Sequence, residues 1–329
     1  MFVSNFFYQT LLFFKFNIFF IFSISYDVSF NPLGSHDSGA YVFYTENGFA
    51  PDRPDLIEGT FLSFLANLFP CIVRPFVARF SKTQIIDVLT QLELGIRYLD
   101  LRVAFDNEEK KMKICHNLYA DQLQIVLDDV HRFVQKFQKE VIILDFQHFY
   151  NFDDEQHIKL MKHLTNVFQG RLIPVQASAT FTLNNLWSKY QTERIIIIYR
   201  NNFMTQKDKN ISDFFWNSFL LPNPWPNTRS SAMLAKHMRT VISTRPATKL
   251  FVTQAVLTPN TKYSLMHFYS SLKPLAETAN QCVRSMIKND EFKPATNIPG
   301  TGPNIIMTDF VNPSFVEEIV QLNLTHKLV

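Results

Sequence analysis

From about residue 80 onward, short apolar runs alternate with longer segments whose apolar residues recur every three or four positions. The runs read as strands buried on both faces, and the periodic segments read as helices packed on them. Ile85, Ile86, Val88, Leu89 and Leu92 share one helical face, with Gly95 as the stop. Ser81-x-x-Gln84 ahead of them reads as a capping box. Strands are predicted at Ile96–Val103 and Met112–His116, and a helix at Asp121–Phe137. Val141–Phe146 predicts a buried strand, and Asp154–Phe168 a helix ending before Gly170. The clearest parallel-type strand is Arg194–Tyr199, with four consecutive isoleucines. Further strands are predicted at Leu250–Gln254 and Asn304–Thr308, and helices at Pro274–Lys288 and Pro313–Leu322. Asn201–Thr240 reads as loop-rich, since Pro222, Pro224 and Pro226 exclude regular structure.

This rhythm predicts an α/β fold, a parallel sheet with helices outside it. Seven or eight strands favour a TIM-like (β/α) barrel, distorted from the ideal, over an open sheet. One catalytic domain is expected over residues 26–329, its first strand around Asp27–Phe30. Residues 1–25 stand apart: they are Phe-rich and almost wholly apolar, with Lys15 in the middle. A signal peptide carries its charge before the apolar run, and a charge near the centre of a spanning helix is costly. An anchor, a signal and an adventitious start all remain open for this segment.

Composition narrows the function. Apolar residues make up 47% of the 329, enough for a large core, and a net charge of +3 is too small to argue for nucleic acid. Cys71, Cys115 and Cys282 lack both disulfide and metal-ligand spacing, so reduced thiols and a cytoplasmic location are expected; the slight basicity fits peripheral contact with an anionic membrane surface and equally fits no special partner. No cofactor, metal or obligate protein partner is implied.

The chemistry lies at predicted strand ends, where barrels build active sites. His36 and Asp37 follow the first strand, Asp100 and Arg102 sit two apart on one strand face, and His116 ends the next strand. Arg200 closes the isoleucine strand, and Asp309 closes the last. Singly, each has an ordinary reading as a hydrogen-bonded histidine, a structural ion pair or a helix cap; their joint occurrence, in order, points to a site. Two imidazoles can take and give a proton near neutral pH while a guanidinium holds a phosphate. Asp145 and His148 lie at another strand end, and strict alternation would put them on opposite faces.

Gly34-Ser35-His36-Asp37-Ser38, Gly95–Arg102, Cys115-His116-Asn117 and Thr308-Asp309-Phe310, in this order, resemble the X-domain-containing phosphatidylinositol-specific phospholipases C. These are small eukaryotic relatives of the bacterial secreted enzymes. The likeness runs over roughly residues 33 to 320, with the X box at approximately 28–200. It implies a phosphoric diester hydrolase cleaving phosphatidylinositol-like lipids. By that resemblance His36 is the general base, His116 the general acid and Asp309 the group orienting His36. Asp37 would support His116, Arg102 would neutralise the phosphate with Asp100 directing it, and Arg200 would contact the inositol ring. Arg102 stands where calcium-dependent relatives hold a cation, so metal independence is expected. The sequence departs from the family in Asn31-Pro32-Leu33 before the first motif, and in Asn117, where Gly usually follows the histidine; Asn tolerates the left-handed backbone.

The apolar stretch Leu56–Phe80, with Arg74 and Arg79, has two readings: a segment dipping into a phospholipid surface, or a packed helical cover on the barrel mouth. The alternative function is a catalytically silent lipid-binding protein on the same barrel. A metal-dependent glycerophosphodiesterase would need a cluster of carboxylate ligands, which the sequence does not display.

Overall fold

Seven strands pair side by side, all parallel, in the order β7-β6-β5-β2-β1-β9-β8. In chain order they are β1 (Leu33–Ser35), β2 (Ile96–Asp106), β5 (Ile142–Tyr150), β6 (Ile195–Tyr199), β7 (Phe215–Trp216), β8 (Val252–Ala255) and β9 (Ile305–Thr308). The computed structural model describes residues 32–44, 48–52, 68–180, 183–201, 212–246, 249–292 and 303–325. The Phe-rich segment 1–25, the strand expected at Asp27–Phe30, and Phe61 and Phe64 of the apolar stretch lie outside them.

Helices α1 (Pro70–Ser81), α2 (Val88–Leu94), α3 (Leu123–Lys136), α4 (Asp154–Val167), α5 (Leu183–Lys189), α6 (Ser231–Thr244), α7 (Thr261–Met266), α8 (Lys273–Lys288) and α9 (Pro313–Thr325) connect the strands. Strand residues alternate between two apolar environments. Tyr98, Ile143, Ile196, Ile198, Val252, Ile305 and Met307 pack together inside the curled sheet. Leu99, Leu101, Val103, Leu144 and Ile197 pack outward against Val126, Val130 and Val134 of α3 and Leu160 of α4. Burial on both faces is why the isoleucine run is uninterrupted; each such side chain contributes about 1.5–3 kcal/mol on leaving water.

Between β7 and β8 the sheet has no ladder among the described residues. Pro222–Thr228 fills the gap as extended chain: Val252 N–H donates to the Pro222 carbonyl at 2.9 Å, and Thr258 N–H to that of Thr228 at 2.9 Å. Prolines cannot donate to a ladder, so this side of the distorted barrel closes through a few bonds instead of a strand pair.

Several elements differ from expectation. Ser81 ends α1 and caps nothing; the cap of α2 is Asp87, whose side chain accepts from Thr90 N–H at 2.7 Å. Gly95 does stop α2, at φ 120°. β3 (Lys111–His116) turns back through Asn117 into β4 (Leu118–Gln122), which its short length concealed. Helix α6 lies in the stretch read as loop, capped by Ser230. Helix α1 partly covers the barrel mouth: Phe76 and Val77 pack on Leu118, while Leu68, Phe69 and Ile72 stay exposed. No helix among the described residues is long and apolar enough to cross a membrane.

Gly34 is required by close approach: a Cβ there would stand 2.6 Å from Tyr98 Cδ1. Gly34→Ala is expected to destabilise the fold by about 1–3 kcal/mol through overpacking, read as a lowered midpoint in chemical denaturation.

Candidate active site

Four separate segments bring the histidines, the carboxylates and Arg102 together at one end of the barrel. After β1 the chain turns sharply, with Asp37 at φ 39° and Ala40 N–H bonded to the Asp37 carbonyl at 2.8 Å. Aspartate tolerates this backbone better than most residues. The turn is anchored to both neighbouring strands: His36 N–H donates to the Thr308 carbonyl (3.0 Å) and Ser38 N–H to that of Asp100 (2.8 Å). Asp100 and Arg102 project from β2, His116 ends β3, and Asp309 follows β9.

His36 Nδ1 lies 2.8 Å from Asp309 Oδ1. Its Nε2 faces the site, 3.4 Å from Arg102 Nη2, 3.6 Å from Asp37 Oδ2 and 3.9 Å from Asp100 Oδ2. The His116 ring stands edge-on to it, with 6.4 Å between centroids. His116 Nδ1 lies 2.6 Å from the Ser81 carbonyl oxygen and 3.4 Å from Asp37 Oδ2. A carbonyl only accepts, so Nδ1 carries the hydrogen and Nε2 is left for chemistry. Asp37 Oδ1 meets Arg102 Nε at 2.6 Å. One buried carboxylate therefore faces the guanidinium and both imidazoles.

Burial disfavours every charge here, and the neighbours decide which survive. Burial pulls the His36 imidazolium down, but Asp37, Asp309 and Asp100 outweigh it and raise its pKa to about 9. Burial pushes Asp37 up, but Arg102, His116 and His36 bring it to about 2. Asp100 is pushed up to about 7 by burial and by Asp37. Arg102 is held firmly protonated by Asp37 and Asp100 despite burial.

Arg200 is locked: Nε and Nη2 each donate to Asp145 at 2.8 Å, and Nη2 also reaches the Leu221 carbonyl at 3.0 Å. Asp145 also accepts from the Tyr98 hydroxyl at 2.8 Å, which in turn accepts from Gln147 and Asn223 at 3.1 Å each. The expectation that Asp145 and His148 face opposite ways is overturned. β5 slips by one residue at Gln147, so that Asp145 pairs with Asp100 and His148 with Arg102. A bulge resets the alternation and brings both side chains to the site face. Partial desolvation and Arg102 lower the pKa of His148.

Sequence reasoning missed the Ser81 carbonyl, Tyr98, Asn223 and Asp52. Asp52 Oδ1 accepts the N–H of Asn117, whose side chain donates to Ser81 Oγ at 2.9 Å. Asn117 has φ 62°, the left-handed backbone expected of it. Main-chain partners and residues from distant loops leave no motif in a sequence. Asp309 caps nothing; Asn312 does that for α9, accepting from Phe315 N–H at 3.1 Å.

His36, Asp37 and Asp100 bring donor atoms within 4.8 Å of one another, a spacing compatible with a cation. The Arg102 guanidinium already lies against Asp37. A second positive charge there would meet it at short range.

This defines a (β/α) barrel with paired histidines, carboxylates and an arginine at its strand ends. The profile of the family "Phosphatidylinositol-specific phospholipase C, X domain" matches residues 76–202. The chain is 31% identical over 297 residues to PI-PLC X domain-containing protein 2 of Mus musculus, covering 88% of this chain and 81% of that one. It is 28% identical to PI-PLC X domain-containing protein 3 of Danio rerio, covering 88% and 86%. The fold matches the phosphatidylinositol-specific phospholipase C from Listeria monocytogenes with a TM-score of 0.63 at 18% identity, over 91% of this chain and 96% of that one. The chain belongs to the PI-PLC X domain-containing family.

Replacing Arg102 by Met is expected to cost about 3–5 kcal/mol at pH 7, because it strips a buried carboxylate of its guanidinium. Asp37, held near 2 in the folded protein, stabilises it above the ordinary carboxylate range, and that stability fades as pH falls through 2. The variant's deficit should therefore hold down to about pH 4 and shrink as pH falls from there toward 2 in urea-unfolding series.

Proposed function

We propose that the chain is a phosphoric diester hydrolase of the phospholipase C type, acting on phosphatidylinositol-like lipids by metal-independent His/His acid–base catalysis. The observation that carries this reading is the 6.4 Å spacing of two imidazoles across one Asp37–Arg102 pair. His36 Nε2 takes the proton of the inositol 2-hydroxyl, and that oxygen bonds to phosphorus. Arg102 neutralises the charge growing on the phosphoryl oxygens. The bond to the diacylglycerol oxygen breaks, His116 supplies its proton, and a cyclic inositol phosphate leaves. Asp309 orients His36, Asp37 supports His116, and Asp100 directs Arg102. Arg200, with the polar floor of Gln147 and Asn223, faces the headgroup hydroxyls.

A base must be neutral to act, and His36, held near 9, is mostly imidazolium at pH 7. The limb of kcat/KM that His36 governs is thus expected to rise with pH toward 9. Asp309→Asn should move that limb to lower pH by removing an anion, while lowering the plateau. His36→Ala and His116→Ala should each cut release of water-soluble inositol phosphate about 10²–10⁴-fold. Chelator should leave the wild-type rate unchanged, and strict calcium dependence would refute metal independence. Vesicle binding by the wild type without release would favour the silent lipid-binding alternative.

The rim supports a lipid surface as the partner. Leu68, Phe69 and Ile72 at the start of α1 and Met266 and Tyr269 at and after the end of α7 are exposed, and the Phe76–Phe268 stack at 4.9 Å joins the two segments. Arg79 donates to the Phe268 carbonyl at 2.8 Å. Apolar tips with basic neighbours fit a bilayer bearing anionic headgroups. Combined Phe69→Ser, Ile72→Ser and Met266→Ser should weaken sedimentation with phosphatidylinositol vesicles by on the order of tenfold or more. Turnover of a water-soluble inositol phosphodiester should stay within about twofold.

A further inference from the structure

Gln84 sits on no strand or helix, is fully buried, and takes no part in the chemistry set out above. Its side-chain amide makes three bonds to main chain that is far apart in sequence. Nε2 donates to the carbonyl of His36 at 3.0 Å and to that of Thr308 at 3.2 Å. Oε1 accepts from Val311 N–H at 3.1 Å. One side chain thus holds His36 itself, the residue before Asp309, and the second residue after it.

We propose that Gln84 is a positioning residue that sets the geometry of the His36–Asp309 pair by tying together the two segments that carry it. The parallel ladder between β1 and β9 runs only from Leu33 to Ser35; Ile306 N–H to the Pro32 carbonyl adds a rung before it, and His36 N–H to the Thr308 carbonyl adds one on the site side. Beyond it both chains turn away, Asp37 at φ 39° and Phe310 at φ 50°. The Gln84 amide supplies the rungs that the turning backbones cannot make to each other. Thr83 works beside it: Oγ1 donates to the Asp37 carbonyl at 2.9 Å, and its own carbonyl accepts Phe310 N–H at 2.7 Å. Only a side chain with both a donor and an acceptor at that length satisfies all three groups. Leaving any of them bare in a buried site is costly, which makes the arrangement all-or-none.

The consequence is electrostatic. The 2.8 Å contact between His36 Nδ1 and Asp309 Oδ1 depends on registry between chains 273 positions apart. The other charged groups facing His36 (Asp37, Asp100, Arg102 and His116) come from the β1 turn, β2 and β3 and do not depend on the Gln84 bonds to the β9 exit. Two of the three Gln84 bonds go to the β9 exit, so loosening Gln84 acts chiefly on the Asp309 share of what keeps His36 protonated.

The test is a titration of histidine side-chain signals by NMR in the full chain, wild type against Gln84→Met, alongside kcat and KM. This proposal rests on the phospholipase reading only for its kinetic arm; the titration needs no substrate. In Gln84→Met the His36 midpoint should fall from about 9 by roughly one unit. kcat should drop about 10–100-fold at unchanged KM. Should Gln84→Met fail to fold, Gln84→Asn, polar but too short to span the three groups, must give the same two changes. A folded variant with His36 titrating as in the wild type and kcat retained, whatever its loss of thermal stability, overturns the proposal. A shifted titration in a protein whose wild type has no turnover would sink the phospholipase reading and leave this one standing.

Discussion

The buried contact between Asp37 and Arg102 organises the mouth of the barrel. At 2.6 Å in a desolvated site, each charge is tolerable only because of the other. Asp37 needs the sharp turn after β1 to point inward, and Arg102 needs β2 to reach it from the neighbouring strand. Both histidines then approach the free edge of the same carboxylate, at 3.4 and 3.6 Å. Were the pair apolar, each imidazole would keep its own Nδ1 partner but lose the anion that the two share.

Around this pair the charges are arranged in opposition. Three carboxylates favour the proton on His36, and burial, with Asp37 beside it, pushes Asp100 up to about 7. The two imidazoles are set by different partners: His36 by a carboxylate at Nδ1, His116 by a main-chain carbonyl at Nδ1. Unequal surroundings are what allow two chemically identical side chains to take different roles. Both leave Nε2 on the site side, so the inequality comes from behind the rings.

The barrel beneath supplies rigidity by two-sided burial. Its inner layer is apolar up to Tyr98, whose hydroxyl begins the polar floor of Asp145, Gln147, Asn223 and Arg200. That boundary marks where the interior stops being core and becomes site. The irregular side, where Pro222–Thr228 replaces a strand, delivers Asn223 to the floor. The irregularity thus carries part of the site.

Strands and helices were largely legible because their apolar periods are local and repeated: the isoleucine strand, the α3 stripe and the Gly95 stop all follow from neighbours in sequence. The motif residues His36, Asp37, Asp100, Arg102, His116 and Asp309 were legible as a set because each sits on or just after a predicted strand; the parallel strands β1, β2 and β9, with β3 folded back on β2, bring them to one rim. What stayed hidden depends on contacts between distant segments. The bulge at Gln147 that turns His148 toward Arg102, the helix at Ser231–Thr244 behind a proline-rich approach, and the switch of Gln84 from presumed capping residue to a tie between β1 and β9 leave no local pattern. Side-chain type and spacing determine which groups are available and which face of an element they occupy. Registry between non-adjacent strands, set by packing of the whole barrel, decides which of them meet.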